Sequence, residues 1–129
     1  MVIEYEKISS GTKWESIVGY SRAVLAGSVI YVSGTTATNK SGNITGKGDP
    51  YKQTVKTIRN IESALKQFDS SLENVARVRI FLANIKDWKK IAKAHLEFFD
   101  KIRPACTMVE VNQFIDPEIL VEIEAEAIA

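Results

Sequence analysis

The apolar positions between residues 51 and 68 recur every three or four residues, which is the period of a helix with one buried face. They are Val55, Ile58, Ile61, Leu65 and Phe68. Asp49 and Pro50 stand just before this stripe, where an N-cap and a first helical residue are expected. The pattern therefore predicts an amphipathic helix that begins at Pro50.

A second helical stripe follows Asp87, a suitable N-cap, and ends before Arg103-Pro104, because a proline disfavours helical conformation in the preceding residue. Its apolar face carries Trp88, Ile91, His95, Phe98 and Ile102. We expect both helices to cover one side of a sheet, with His95 buried beneath it.

Strand-like runs, rich in β-branched and aromatic residues, surround the two helices. They span residues 3–7, 20–26, 29–33, 75–82, 107–111 and 120–127. The order β-β-β-α-β-α-β-β predicts an α+β fold over residues 1–129, a single domain with two helices packed on one face of a mixed sheet. The last two strands are expected to form a hairpin. The glycine-rich stretch 34–49 predicts an exposed loop.

Alternation along the strands divides the side chains between two faces of the sheet. One face is apolar and can pack under the helices. The other face carries Arg77, Arg79, Phe81, Glu122, Glu124 and Glu126, and the same alternation adds Cys106, Met108 and Glu110. A solvated antiparallel face and a self-association surface both fit this mixed set, and alternation alone favours the solvated face.

Charge and composition narrow the function classes. Seventeen Lys and Arg residues against sixteen Asp and Glu residues leave a formal charge of +1, so no global field favours nucleic acid or anionic lipid. One cysteine and one histidine provide neither a disulfide nor a zinc-binding set, and no glycine-rich phosphate loop follows a strand. We expect a cytoplasmic protein without metal, cofactor, signal peptide or membrane span.

Four short motifs resemble the RidA/YjgF family, small trimers whose best-known members hydrolyse reactive 2-imino acids. The motifs are Tyr31-Val32-Ser33-Gly34, Asn60-Ile61-Glu62, Arg103-Pro104-Ala105 and Val121-Glu122-Ile123-Glu124-Ala125. The resemblance runs from Gly19 to Ala127. It implies a homotrimer with the sheets turned inward, the helices outside and a ligand cleft at each subunit boundary. It therefore favours self-association of the open sheet face over a solvated one.

The resemblance also implies roles for particular residues. Glu122 matches the glutamate that holds the attacking water, and Tyr20 matches a tyrosine that closes the substrate pocket. Gly34 matches the glycine whose N–H meets the substrate carboxylate, and a glycine allows such close approach to the backbone. Ser33 precedes it in the same cleft, and Met108 lies where the family uses backbone groups.

Cys106 departs from the family pattern. Catalytic members carry an arginine there, in P-A-R-S, whereas this chain has Pro104-Ala105-Cys106-Thr107. A guanidinium would hold a carboxylate through two parallel hydrogen bonds, which a thiol cannot do. Losing such a contact costs on the order of 2–5 kcal/mol in a desolvated site. The replacement predicts ligands with a different or absent carboxylate.

Arg22 and Cys106 each leave two interpretations open. Arg22 follows Tyr20 by two residues on a predicted strand and is the best replacement for the missing charge. The favoured alternative is an ion pair with an acidic neighbour such as Glu124 at the subunit boundary. A nucleophilic Cys106 would need a nearby base. Since His95 is expected on the opposite side of the sheet, an inert thiol is favoured.

The sequence therefore predicts a protein for a small carbonyl, imine or enamine metabolite, which as an enzyme would be a deaminase working in intersubunit clefts. A non-catalytic ligand-binding or chaperone-like trimer is the alternative. Endoribonuclease or translation-inhibitor activity, attributed to some relatives, is less favoured because a near-neutral charge gives RNA binding no support.

Overall fold

The computed structural model describes residues 5–129, and this part of the chain forms one sheet with the strand order β1-β2-β3-β6-β4-β5. The strands are β1 Glu6–Ile8, β2 Ala23–Ala26, β3 Val29–Thr35, β4 Val75–Leu82, β5 Ala105–Glu110 and β6 Val121–Ile128. The helices are α1 Lys13–Val18, α2 Pro50–Lys66 and α3 Trp88–Phe99. In the described part of the chain β4 and β5 run parallel, and the other neighbouring strands of this sheet pair antiparallel. The predicted α+β fold with a mixed sheet is confirmed.

Helix α2 starts at the predicted residue and buries the predicted stripe. The Asp49 carboxylate accepts a hydrogen bond from the Lys52 N–H at 3.0 Å, and Pro50 is the first helical residue. Ile58, Ile61 and Leu65 are almost fully buried in the core under the sheet. This burial, rather than helix propensity, is the main stabilisation of an amphipathic helix of this length.

Helix α3 is shorter and less buried than predicted. Ile91 is fully buried, whereas Trp88, which the pattern placed on the same apolar face, remains 47% exposed. The helix ends at Phe99, whose carbonyl oxygen then accepts hydrogen bonds from the N–H groups of Ile102 and Arg103. Arg103 takes a left-handed conformation (φ 54°) that turns the chain toward β5.

The N-terminal region differs most from the predicted elements. Residues 3 and 4 of the first predicted strand lie outside the described residues, and β1 continues to Ile8. Helix α1 was not predicted; it ends at Gly19, which is left-handed (φ 89°) and donates its N–H to the Glu15 carbonyl oxygen at 2.9 Å. As a result β2 begins at Ala23, three residues later than expected.

Two polar side chains of α2 form hydrogen bonds to the loop that precedes β6 and to the loop that follows β3. Gln53 is fully buried; its amide donates to the Glu118 carbonyl oxygen and accepts from the Leu120 N–H, both at 2.9 Å. Asn60 donates to the carbonyl oxygens of Thr36 and Thr38, both at 2.9 Å. The loops before β6 and after β3 are thereby fixed to the same helix.

The stretch 34–49 is more ordered than the predicted exposed loop. Ala37 and Ile44 are buried in a small second core with Ile119, and Thr38 pairs with Ile44 in an isolated bridge. The stretch therefore packs against the loop before β6.

Strands β5 and β6 do not form the predicted hairpin, because β4 lies between them and pairs with both. Cys106 lies beside Val78 and Met108 beside Ile80 in the parallel β4–β5 ladder. Laterally adjacent residues share a face, so Cys106, Met108 and Glu110 lie on the helix-covered face. Their predicted place on the open face with Glu122 was wrong. Alternation gives the period of a strand, but the side on which it starts depends on the register with a neighbour.

None of the helices within residues 5–129 is long and apolar enough to cross a membrane.

Candidate functional site

A β-bulge in β3 creates the backbone around which the predicted site residues gather. Val32 lies opposite Ala125 and Thr35 lies opposite Ile123. Between these two pairs β3 therefore contains one residue more than β6. Bulges of this kind bend a strand and redirect its side chains and amides. The extra length falls at Ser33-Gly34, where the resemblance places ligand contacts.

Gly34 lies directly against the carboxylate of Glu122. A Cβ atom built on Gly34 would lie 2.9 Å from the Glu122 Cδ and 3.2 Å from each of its carboxylate oxygens. Such distances are too short for any side chain to fit without moving the carboxylate. The glycine therefore allows Glu122 to approach this closely, and the two residues form one surface.

Arg22 contacts the other side of the same glycine. One guanidinium nitrogen, Nη1, donates to the Gly34 carbonyl oxygen at 2.6 Å and to the Thr35 hydroxyl at 3.0 Å. The second, Nη2, donates to the Tyr20 hydroxyl at 3.2 Å. Within one chain Glu124 pairs with Arg79 at 3.2 Å, and the acidic neighbour of Arg22 is Glu15. The pairing of Arg22 with Glu124 at a subunit boundary stays a prediction.

Ser33 joins the same network through the start of β2. Its hydroxyl donates to the Ser21 carbonyl oxygen at 2.7 Å, and its N–H donates to the Arg22 carbonyl oxygen at 2.9 Å. We call Tyr20, Arg22, Ser33, Gly34 and Glu122 the Glu122 wall. These five predicted residues are brought together by the structure.

Burial changes the acidity of the central carboxyl group. Desolvation raises the pKa of Glu122 above its ordinary value, and nearby Glu124 adds to this effect, whereas the positive charge of Arg22 opposes it. A carboxyl group with a raised pKa exchanges protons more readily near neutral pH. Glu122 is thus suited to accept and return a proton.

Glu15, which sequence reasoning missed, lies behind Arg22. Glu15 is only 6% exposed, and its carboxylate lies 4.0 Å from the Arg22 Nε. Burial alone would raise the pKa of Glu15, but hydrogen bonds from Ser10, Thr12 and Ser9 outweigh it and lower the pKa to about 2. The signal was present in the sequence as the T-x-x-E capping box of Thr12 and Glu15.

Cys106 and Met108 belong to a different surface. They border a cavity of about 260 Å³ between α3 and β5, together with His95, Leu96 and Phe99 of α3. We call these five residues the Cys106 wall. Burial raises the pKa of the Cys106 thiol and lowers the pKa of His95. The expectation that His95 and Cys106 lie on opposite sides of the sheet was wrong.

The two walls lie on opposite faces of the sheet, since Glu122 is beside Phe81 on the open face whereas Cys106 is beside the buried Val78. Arg79 completes the open face: its Nη1 lies 3.2 Å from a carboxylate oxygen of Glu124 and 3.1 Å from one of Glu126. Among residues 5–129 no group of three or more His, Cys, Asp or Glu side chains could hold a metal ion.

Comparison with known proteins identifies close relatives. A family model described as Endoribonuclease L-PSP matches residues 11–129. An uncharacterised protein of Streptomyces coelicolor is 40% identical over 121 residues, which cover 94% of this chain and 90% of that protein. A RutC family protein of Pyrococcus horikoshii is 34% identical over 109 residues, covering 84% and 85%. A crystal structure from Mycobacterium tuberculosis, a member of the YjgF/YER057c/UK114 family, has 42% identity and a TM-score of 0.89, covering 98% of this chain and 100% of that one.

Proposed function

Because the chain belongs to the Endoribonuclease L-PSP (YjgF/YER057c/UK114) family, we propose that it is a cofactor-free homotrimer that hydrolyses reactive imine or enamine metabolites to a carbonyl compound and ammonia. The observation that carries this proposal is the contact between the Glu122 carboxylate and Gly34. It sets a proton acceptor beside a backbone that has no side chain to block a ligand.

In the proposed reaction Glu122 orients a water molecule and takes one of its protons as the oxygen adds to the carbon of the C=N bond. Glu122 then returns this proton to the imine nitrogen, which gives a neutral carbinolamine. In the second step Glu122 takes the proton of the hydroxyl group and passes it to the amino group, so that the C–N bond breaks and ammonia leaves as the C=O bond forms. Tyr20 shapes the pocket and the Gly34 N–H holds the acid or carbonyl oxygen of the substrate.

The opposite faces of the two walls are the reason to propose a shared site. Glu122 and Cys106 of one chain cannot contact the same small molecule, because the sheet separates them. A ligand that touches both needs Glu122 from one subunit and Cys106 with Met108 from its neighbour. Symmetric oligomers commonly build such sites from two copies of one chain.

Cys106 then selects the substrate. A cysteine side chain never carries a positive charge, so it offers no counter-charge to a carboxylate, and burial raises the pKa of this thiol. We propose that the preferred substrates carry a smaller or uncharged group where the usual 2-imino acids carry their carboxylate.

Hydrolysis of freshly generated 2-iminopropanoate and 2-iminobutanoate by the purified protein, measured as ammonia release, tests this function. Glu122→Gln should abolish activity, and Cys106→Arg should raise activity toward both acids. Arg59→Gln, an exposed substitution on α2, serves as the control. Activity that persists in Glu122→Gln would contradict the proposed mechanism.

Mixing of variants tests the shared site. Glu122→Gln damages one wall and Cys106→Trp blocks the other, so each variant alone should be inactive. Random trimers from an equal mixture would contain about one quarter of clefts with both walls intact. Recovery near that fraction of parent activity supports the shared site, and no recovery in confirmed mixed trimers contradicts it.

A non-catalytic ligand-binding or chaperone-like trimer is the second candidate, and the replacement of the family arginine by Cys106 favours it. In that case imines or their carbonyl analogues should raise the Tm without turnover. Ribonuclease activity has less support, because the single histidine, His95, lies in the Cys106 wall and not beside Glu122.

A further inference from the structure

Arg22 is too committed to protein partners to act as the missing substrate arginine. Its residue surface is only 8% exposed, and it donates to the Gly34 carbonyl oxygen, the Thr35 hydroxyl and the Tyr20 hydroxyl. Its Cζ also lies 5.5 Å from the centre of the Tyr20 ring. A substrate carboxylate would have to displace these contacts. The guanidinium therefore orients residues of the Glu122 wall and does not bind the substrate directly.

We propose that Arg22 is a positioning residue of the Glu122 wall, held in place by Glu15, and that it both fixes the Gly34 peptide and supplies the positive charge that faces Glu122. This inference rests on the proposed function, because it assigns a role within that site. It differs from the substrate-binding role that the sequence suggested for Arg22.

The first part of the role is geometric. The bulge at Ser33-Gly34 leaves the β3 backbone without its regular ladder spacing opposite β6. The short charge-assisted hydrogen bond from Arg22 to the Gly34 carbonyl oxygen, at 2.6 Å, sets the direction of that residue's backbone. Since Gly34 packs against the Glu122 carboxylate, the orientation of one controls the space available to the other.

The second part of the role is electrostatic. Of the charged groups that act on Glu122, Arg22 lowers its pKa and Glu124 raises it, while burial raises it most. Arg79 on β4 faces the same surface but is paired with Glu124 and Glu126, and Gly34 on β3 carries no charge. Arg22 is thus the cation whose charge opposes the effect of desolvation on the pKa of Glu122.

Glu15 holds Arg22 from behind. The Arg22 Nε is buried without a hydrogen-bond partner in the described residues, and the nearest opposite charge is the Glu15 carboxylate at 4.0 Å. That carboxylate is itself fixed by the hydroxyls of Ser10 at 2.6 Å and Thr12 at 2.8 Å. The ion pair between Glu15 and Arg22 therefore joins helix α1 to the Glu122 wall.

The test compares Arg22→Gln, Arg22→Lys and Glu15→Gln with the parent, with Arg59→Gln as a matched surface control. Titration of Glu122 is followed by carboxyl carbon NMR of glutamate-labelled protein, and kcat/KM for imine hydrolysis is measured across pH. Circular dichroism and Tm show that each variant is folded.

Arg22→Gln should move the Glu122 titration and the acid limb of the pH profile to higher pH. Activity should fall about tenfold or more on the acid limb and less above it. Arg22→Lys keeps the charge but not the fork of hydrogen bonds, so its acid limb should stay near that of the parent while KM rises. Glu15→Gln should show a smaller KM increase of the same kind.

A Glu122 titration that is unchanged in folded Arg22→Gln overturns the electrostatic role, and an unchanged KM in folded Arg22→Lys overturns the geometric one. The NMR titration needs no turnover. A parent protein that is inactive toward imines, but whose Glu122 titration responds to Arg22→Gln, would refute the proposed function and retain the positioning role.

Discussion

The two walls differ in what holds them together. The Glu122 wall is built from charges and short hydrogen bonds, in which Arg22 and Glu122 both contact Gly34. The Cys106 wall is mostly apolar, and its one thiol has a pKa that burial raises. The first wall is suited to move protons and the second to select shape. Under the proposed function, the residues that move protons and the residues that select the substrate could therefore change independently.

The largest effect is expected from the strand that separates the two walls. Ile123 on β6 is fully buried beneath the helices, whereas the next residue, Glu124, lies on the open face beside Arg79. Ile123→Ala should lower the free energy of unfolding by about 2–5 kcal/mol, because it leaves a cavity. Glu124→Ala should cost less than about 1 kcal/mol. Urea denaturation of both variants checks this, and similar losses would mean that the open face is not separate from the core.

The second effect concerns the support of the Glu122 wall by Glu15. The pKa of Glu15 is lowered from 4.5 to about 2 in the folded state, so its stabilisation is complete above pH 4.5 and is lost as the pH falls toward 2. Glu15→Gln should therefore cost on the order of 3 kcal/mol at pH 7 and much less near pH 2.

Chemical denaturation of the parent and of Glu15→Gln at several pH values measures that difference. Glu73→Gln, an exposed substitution just before β4, is the control and should change stability little at any pH. A Glu15→Gln deficit that stays constant from pH 7 to pH 2 would show that the deficit does not come from ionisation.

The third effect addresses the contact between Gly34 and Glu122. The added methyl group of Gly34→Ala would lie 2.9 Å from the Glu122 Cδ, so the carboxylate must move. Since it is the end of a flexible side chain, the stability loss should be below about 1 kcal/mol, while kcat/KM should fall about 10- to 100-fold. The Gly34→Ala/Glu122→Ala double variant should be no less stable than Glu122→Ala alone, because the added methyl group then meets no carboxylate. Losses of stability that add in the double variant would show that Gly34 and Glu122 are not coupled.

Periodicity and alternation predicted α2, α3 and the central strands, whereas α1 was missed and the residues of one wall were grouped by the family resemblance. The 3.6-residue period located α2, the turn chemistry of Asp49-Pro50 gave its start, and alternation gave β4 and β6. Tyr20, Gly34 and Glu122 lie together in the structure, and it was the family resemblance that grouped them; the pairing of β3 with β6 that joins Gly34 to Glu122 does not follow from the pattern of the sequence.

The other wall could not be predicted, because it depends on a long-range pairing. The face of Cys106 is set by the parallel register of β5 on β4, and periodicity alone does not carry that information. Glu15 was missed for a related reason. Its capping-box signal is local, but its value to the site comes from the packing of α1 near Arg22.

The smallest effect would show whether the two walls meet. Cys106 should react with iodoacetamide more slowly than free cysteine at pH 7, because burial raises the pKa of its thiol and the thiolate is the reactive form. If Glu122 of a neighbouring subunit lies close to Cys106, its negative charge raises that pKa further. Glu122→Gln should then speed alkylation about two- to threefold in the assembled protein. In protein diluted to monomers, the parent and Glu122→Gln should be alkylated at the same rate. Equal rates in the assembled parent and Glu122→Gln would mean that the sheet keeps the two walls apart in every subunit, and the shared site would have to be abandoned.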